Sequence, residues 1–170
     1  LQEDRNIPGH VLTAYKVAAR DDEIVFPFLL PGGELAMAKT RKAVNGEKPK
    51  PTAANCEPIL FGWQAVPDKA RDIIITEGEI DALSWASYGF PALSVPFGGG
   101  KGAKQKWIES EYDRLARFER IYLSLDMDKT GEEAASEIAA RLGRHRCLRV
   151  NLPHKDANEC RVSGISAEDM

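Results

Sequence analysis

Ile73-Ile74-Ile75-Thr76 is an apolar run that breaks into Glu77-Gly78-Glu79-Ile80-Asp81 across a single glycine. Leu125-Asp126-Met127-Asp128-Lys129-Thr130-Gly131 has the same texture: an apolar run ends, acids follow, and a glycine closes the segment. Short continuous runs of this kind are typical of strands. Acids just past two strand ends bring several carboxylates to one rim of a sheet. Like charges that close raise one another's pKa unless a cation or a proton intervenes. The natural counter-ion is a hard divalent metal with oxygen ligands, which points to metal-dependent phosphoryl or nucleotidyl chemistry.

Working outward, strand and helix alternate from about residue 72. Strands are predicted at 73–76, 92–95, 121–125 and 147–152, and helices at 79–88, 104–118 and 130–142. The first helix carries Ile80, Leu83 and Ala86 at helical spacing and is closed by Gly89 and Pro91. Such alternation predicts an α/β fold, a parallel sheet covered on both faces. Earlier in the chain the texture differs. Pro8 opens a short helix through Tyr15, and strands at 23–30 and 35–42 are joined by the turn Pro31-Gly32-Gly33-Glu34. Pro27 demotes the first of these strands to an edge position. Residues 44–58, with Pro49, Pro51 and Pro58, read as a loop, and the apolar run 59–63 docks this part onto a core. Two units are expected: a small β-rich basic one over 1–66 and the alternating one over 67–170.

The chain has 170 residues, enough for a real core, and a net charge of −3, which argues against a general nucleic-acid coat but not against a local basic patch. No apolar run reaches the roughly 18 residues that span a bilayer, and no signal-peptide pattern opens the chain. Cys56, Cys147 and Cys160 are widely spaced and odd in number, so neither a disulfide framework nor a zinc site is expected, and a reducing cytoplasm fits. The chain opens on Leu1 rather than Met and is expected to be a piece of a longer protein.

Sites in open α/β sheets form beyond the carboxyl ends of the strands. Glu77 sits one residue past the first strand, Asp126 and Asp128 end the third, and Asp156 lies beyond the fourth. Spacing of two puts Asp126 and Asp128 on one side of an extended chain. Acids also cap helices, and Asp81, Glu132 and Glu133 read that way too. Caps, however, do not require acids at one rim of three strands. Lys39 and Arg41 alternate onto one face, followed by Lys42. They hold a nucleic-acid backbone or a triphosphate, or else they are the solvated lysines that protect an edge strand. Gly98-Gly99-Gly100-Lys101-Gly102 lacks the Gly-Lys-Ser/Thr ending of a phosphate loop and reads as a connection at the functional rim, with Lys101 and Lys104 as candidate nucleic-acid contacts. Trp85 and Trp107 read as packing residues.

Residues 76–83 and 125–131 resemble the two signature motifs of the Toprim domain, found in DnaG-type primases, topoisomerases and some nucleases. Lys155-Asp156-Ala157-Asn158-Glu159 resembles a third motif of phage-type primase–helicases. The resemblance covers about residues 20–162. It implies a Rossmann-like Toprim sheet preceded by a small antiparallel β basic subdomain. It implies Glu77, Asp126 and Asp128 as catalytic, with Glu77 nearest the reacting phosphate. Asp126, Asp128 and Asp156 join Glu77 in holding Mg2+ (or Mn2+), with Asp81 as a supporting acid. Lys39, Arg41, Lys42, Lys101 and Lys104 would then meet nucleotide or DNA. The implied activity is primase: RNA primers made on a single-stranded DNA template from ribonucleoside triphosphates during DNA replication. The implied partners are zinc-binding and helicase domains of the same parent protein, with no membrane. A Toprim nuclease and a non-catalytic DNA-binding module of a replicative helicase are the alternatives.

Overall fold

The computed structural model describes residues 1–42, 50–51 and 57–170, with only the backbone placement of 50 and 51. Cys56 and most of the expected 44–58 loop lie outside these residues. Helix α1 (Gly9–Ala14) leads into an antiparallel sheet of β1 (Ala18–Arg20), β2 (Glu23–Leu29), β3 (Leu35–Lys42) and β4 (Lys50–Pro51), ordered β1-β2-β3-β4. The β2–β3 turn is closed by Gly33 N–H donating to the Leu30 carbonyl at 2.9 Å, and Gly33 takes φ +90°, a region glycine enters freely.

Two expectations need correction here. β2 is an inner strand despite Pro27, because β1 pairs with it only from Glu23 to Val25; at Pro27 the strand has no neighbour on that side among the described residues. The proline's missing N–H therefore breaks no ladder there. Residues 50–51, expected within a loop, extend the sheet as a short strand along Lys39 and Thr40.

The second sheet is parallel, ordered β6-β5-β7-β8, from β5 (Asp72–Thr76), β6 (Ala92–Ser94), β7 (Arg120–Ser124) and β8 (Cys147–Arg149). Helices α2 (Glu79–Ser87), α3 (Trp107–Leu115), α4 (Lys129–Leu142) and α5 (Ala157–Val162) surround it. The predicted 104–118 helix is shorter, preceded by a 3-10 turn over Gly102–Gln105, and α5 was not predicted at all. Alternation along β5 explains why its apolar run is unbroken. Ile73 and Ile75 join the cluster under α3 and α4 with Leu93, Ile121 and Leu123. Ile74 faces the other cluster, with Leu83, Phe61 and the antiparallel sheet's Phe26, Phe28 and Met37. This second cluster is thus shared by the two sheets, and the apolar run at 59–61 is the hinge between the clusters, with Ile59 and Phe61 in it and Leu60 in the one under α3 and α4. Phe61 is fully buried, bridges to Ser94 of β6, and touches the rings of Tyr15, Phe26 and Phe28. Among the described residues no helix is long and apolar enough to cross a membrane.

A buried acid fastens this hinge to α3. Glu111 is wholly buried; its carboxylate accepts from Leu60 N–H at 3.1 Å and Trp63 Nε1 at 3.0 Å, and pairs with Arg114 at 3.1 Å. Burial outweighs these partners and pushes its carboxyl up to about 7. The folded state then keeps a proton that the unfolded chain has already lost. This contribution to stability is complete below the ordinary glutamate pKa and disappears as pH rises through about 7. Its ceiling is roughly 3 kcal/mol. Unfolding free energies from urea titrations at pH 5 and pH 8 are expected to fall with pH, and Glu111→Gln is expected to reduce that fall. An unchanged pH slope in the variant would remove Glu111 from the account.

Candidate active site

β5 ends at Thr76, whose hydroxyl donates to the Gly78 carbonyl at 3.0 Å and the Leu93 carbonyl at 3.2 Å, turning the chain sharply. Glu77 is thereby delivered to the sheet's carboxyl rim, and Glu79 and Asp81 follow in the first turn of α2, where the helix dipole favours acids. Beyond β7 come Asp126 and Asp128; beyond β8 comes Asp156. A cavity of about 500 Å3 is lined by Glu77, Glu79, Asp81, Asp126 and Asp156 together. The sequence expectation of acids from three strand ends on one rim therefore has a physical counterpart.

Asp128 and Asp156 also have the capping role that acids at helix starts often take. Asp128 accepts from Gly131 N–H at 2.9 Å and begins α4; Asp156 accepts from Glu159 N–H at 2.8 Å and begins α5. Asp128 is absent from the residues that line the cavity. β7 ends at Ser124, and Asp128, still extended in its backbone, directs its carboxylate to the start of α4. Its charge still reaches Glu77 and Asp126.

The electrostatics are those of crowded carboxylates. Burial raises Glu77, and Asp126 and Asp128 raise it further; backbone N–H groups of Gly99 and Asp126 facing the carboxylate offset this in part. Asp81 lies well above the ordinary aspartate value, through burial first and then the charges of Asp156, Asp126 and Glu77. Asp126 is raised mainly by burial, against the pull of Lys155, whose Nζ lies 3.2 Å from Oδ2. Glu77 Oε2 is buried without a hydrogen-bond partner among the described residues. An orphaned carboxylate oxygen amid carboxyls that raise one another is an environment a hard divalent cation stabilises. Among the described residues no three acid, histidine or cysteine side chains form a closed ligand set.

The glycine loop lies directly against Glu77. A Cβ on Gly99 would stand 2.6 Å from both of its carboxylate oxygens, so a side chain there displaces the acid. Lys104 reaches the same cavity. Lys101 instead pairs with Glu133 at 3.5 Å over α4, and Lys42 is exposed at the end of β3; neither lines the cavity.

Lys39 lines the cavity but is buried, its Nζ 2.5 Å from Glu79 Oε1. Arg41 is half-buried beside Arg5, Glu79 and Asp81; burial and the Arg5 charge hold its guanidinium below the ordinary value. Four residues absent from the predicted site belong to its surroundings: Glu79, Lys155, Asn158 and Arg149. Asn158 N–H donates to Asp81 Oδ1 at 3.0 Å, and its side chain ties Ser84 and Arg5 together. Lys155 and Asn158 stood in the third motif, so only their roles were missed.

The chain is similar to known proteins in both sequence and fold. The chain is 34% identical over 171 residues to a primase homolog protein of Arabidopsis thaliana, covering 91% of this chain and 50% of that protein. It is 38% identical over 97 residues to a DNA helicase/primase of Enterobacteria phage T3, covering 55% of this chain and 17% of the other. It thus spans half or less of the length of these curated relatives. Among solved structures, the primase fragment of the bacteriophage T7 primase-helicase superposes with a TM-score of 0.82 at 28% identity, over 94% of this chain and 68% of that one. Residues 74–161, which carry all the acids of the rim, match the Toprim-like family, and the chain belongs to it.

Proposed function

We propose that this chain is the RNA-polymerase core of a primase, joining ribonucleotides on a single-stranded DNA template during DNA replication. The observation that carries the reading is the convergence of Glu77, Asp81, Asp126 and Asp156 on one cavity, with Glu77 Oε2 buried and unpartnered. The primase names of the relatives and of the T7 fragment support it. We read residues 1–66 as the basic subdomain and 67–170 as the Toprim unit. Zinc-binding and helicase domains of a longer parent protein, acting in a reducing cytoplasm, complete the proposal.

Glu77, Asp126, Asp128 and Asp156 are the residues that would hold Mg2+ (or Mn2+). When bound, the metal supplies Lewis-acid polarisation of the triphosphate and neutralises charge developing on it. The chain's own groups do the rest. Glu77, whose carboxyl is raised by burial and then by the charge of Asp126, is the catalytic acid nearest the reacting phosphate. Lys104 and Arg41 supply positive charge to the triphosphate or the template at the cavity's edge, with Lys42 and Lys101 as outlying contacts to nucleic acid. Lys39, fixed on Glu79, forms the basic part of the cavity wall, and Asp81 supports the rim through Asn158.

The test is incorporation of labelled ribonucleotides on single-stranded DNA by the full-length protein, with and without Mg2+. Primer synthesis that requires the divalent ion is expected. Absence of incorporation would sink the proposal, and degradation of the DNA without incorporation would assign the chain to the Toprim nucleases instead.

A further inference from the structure

Arg149 is the last residue of β8 and is mostly buried, yet it lies outside the acidic cavity. Every arm of its guanidinium is engaged. Nη1 donates to the carbonyls of Leu123 at 3.0 Å, Leu125 at 3.1 Å and Val150 at 3.0 Å. Nη2 donates to the Asp126 carbonyl at 3.1 Å and approaches Met127 Sδ at 3.3 Å. Nε donates to Glu132 Oε1 at 2.7 Å, on the first turn of α4. Nearly all of these partners lie between Leu123 and Glu132, the stretch that carries Asp126 and Asp128.

The backbone explains why such a residue is placed there. β7 ends at Ser124, and β8 stops at Arg149, short of the predicted 147–152, so the carbonyls of Leu125 and Asp126 have no strand neighbour among the described residues. The planar fork of an arginine, with five donors in fixed directions, takes them up; a lysine ammonium offers three donors on a flexible stem. The turn is held from other sides as well. Met127 N–H donates to the Lys155 carbonyl at 2.8 Å. Gly131 packs so tightly that a Cβ there would lie 2.1 Å from the Asp126 carbonyl oxygen.

We infer that Arg149 is a positioning residue: it fixes the turn that presents Asp126 and Asp128, and through Glu132 it sets that turn against α4. The inference rests on the reading that these acids hold a divalent ion. Partners that orient metal ligands typically change metal affinity by about 10–100-fold when removed.

The test uses the full-length protein and Mn2+ alone, with free ion counted by electron paramagnetic resonance. Arg149→Lys is expected to weaken Mn2+ binding by about 10–100-fold. Backbone amides of Asp126 to Asp128 are expected to exchange with solvent faster in the variant, while those of β5 keep their protection. A folded Arg149→Lys variant with unchanged Mn2+ affinity and unchanged exchange in the turn would overturn the inference. Should Arg149→Lys not fold, Glu132→Ala, at an exposed position, removes the acid that both Nε and Nη2 meet and leaves the guanidinium's carbonyl contacts in place; a several-fold loss of Mn2+ affinity is then expected, and none would overturn it. Asp126→Asn with Asp128→Asn serves as the separate check. If that pair binds Mn2+ like the parent, the metal reading fails, and the exchange of the turn still decides the role of Arg149.

Discussion

Asp126→Asn and Asp128→Asn, each made in the full-length protein, are expected to lower template-dependent primer synthesis at least a thousandfold, roughly 4 kcal/mol of barrier. The fold is expected to survive both. Asp126 has Lys155 as its charged partner and otherwise faces carboxylates that its charge raises, so loss of that charge relieves Glu77 and Asp81. Its thermal midpoint should hold or rise while activity is lost. Asp128 needs more care in the choice of substitution. Its carboxylate caps α4 through Gly131 N–H, so alanine would add about 1 kcal/mol of helix destabilisation to any catalytic loss. Asparagine keeps the cap and removes only the charge. Primer yield from a labelled ribonucleotide assay, with a melting curve on the same preparation, separates the two effects. Variants that both synthesise primers at the parent rate would show that these acids are caps and neighbours rather than metal ligands.

What could be read from the sequence followed from periodicity and punctuation. The unbroken apolar run at Ile73–Ile75 signalled a strand with two covered faces, and the structure divides those residues between two core clusters. Acids past the strand ends were legible because sheet topology fixes where such ends lie. The turn geometry was not. Spacing of two predicted one side for Asp126 and Asp128, but strand pairing stops at Ser124, and nothing in that spacing announced that the Asp128 carboxylate caps α4. Length was also misjudged at β8, where the Arg149 side chain takes carbonyls that a longer ladder would have used. The six-residue α5 lacked enough residues to show a helical period, and its start was visible only as Asp156, which was read for chemistry instead of capping. Lys39 shows the same limit from the other direction. Strand alternation placed it correctly on a face shared with Arg41, but nothing local announced an acid forty residues later in the chain, with which it pairs.

That pair carries the largest expected effect on stability. Lys39 and Glu79 are both buried, and their contact joins β3 of the antiparallel sheet to the first turn of α2 at the wall of the acidic cavity. The Lys39 ammonium also lies 5.2 Å from the centre of the Phe28 ring, a second interaction on its desolvated side. Removing one partner of a buried ion pair leaves an uncompensated charge and typically costs about 3–5 kcal/mol, whereas replacing both by apolar groups of similar volume is often neutral. Lys39→Met is therefore expected to lose about 3–5 kcal/mol of unfolding free energy. Glu79→Leu is expected to lose a comparable amount, and the double variant to regain most of it. Urea denaturation of the four proteins gives the coupling energy directly. The cycle also separates two roles for the basic strand. With the ammonium held by Glu79, the double variant should keep its affinity for single-stranded DNA, and Arg41→Ala should be the substitution that weakens it. Loss of DNA affinity in the stable double variant would instead place Lys39 itself on the nucleic acid. A cost below about 1 kcal/mol for Lys39→Met, the range of exposed pairs, would mean that water reaches the contact and that the pair adds little to the packing around Phe61.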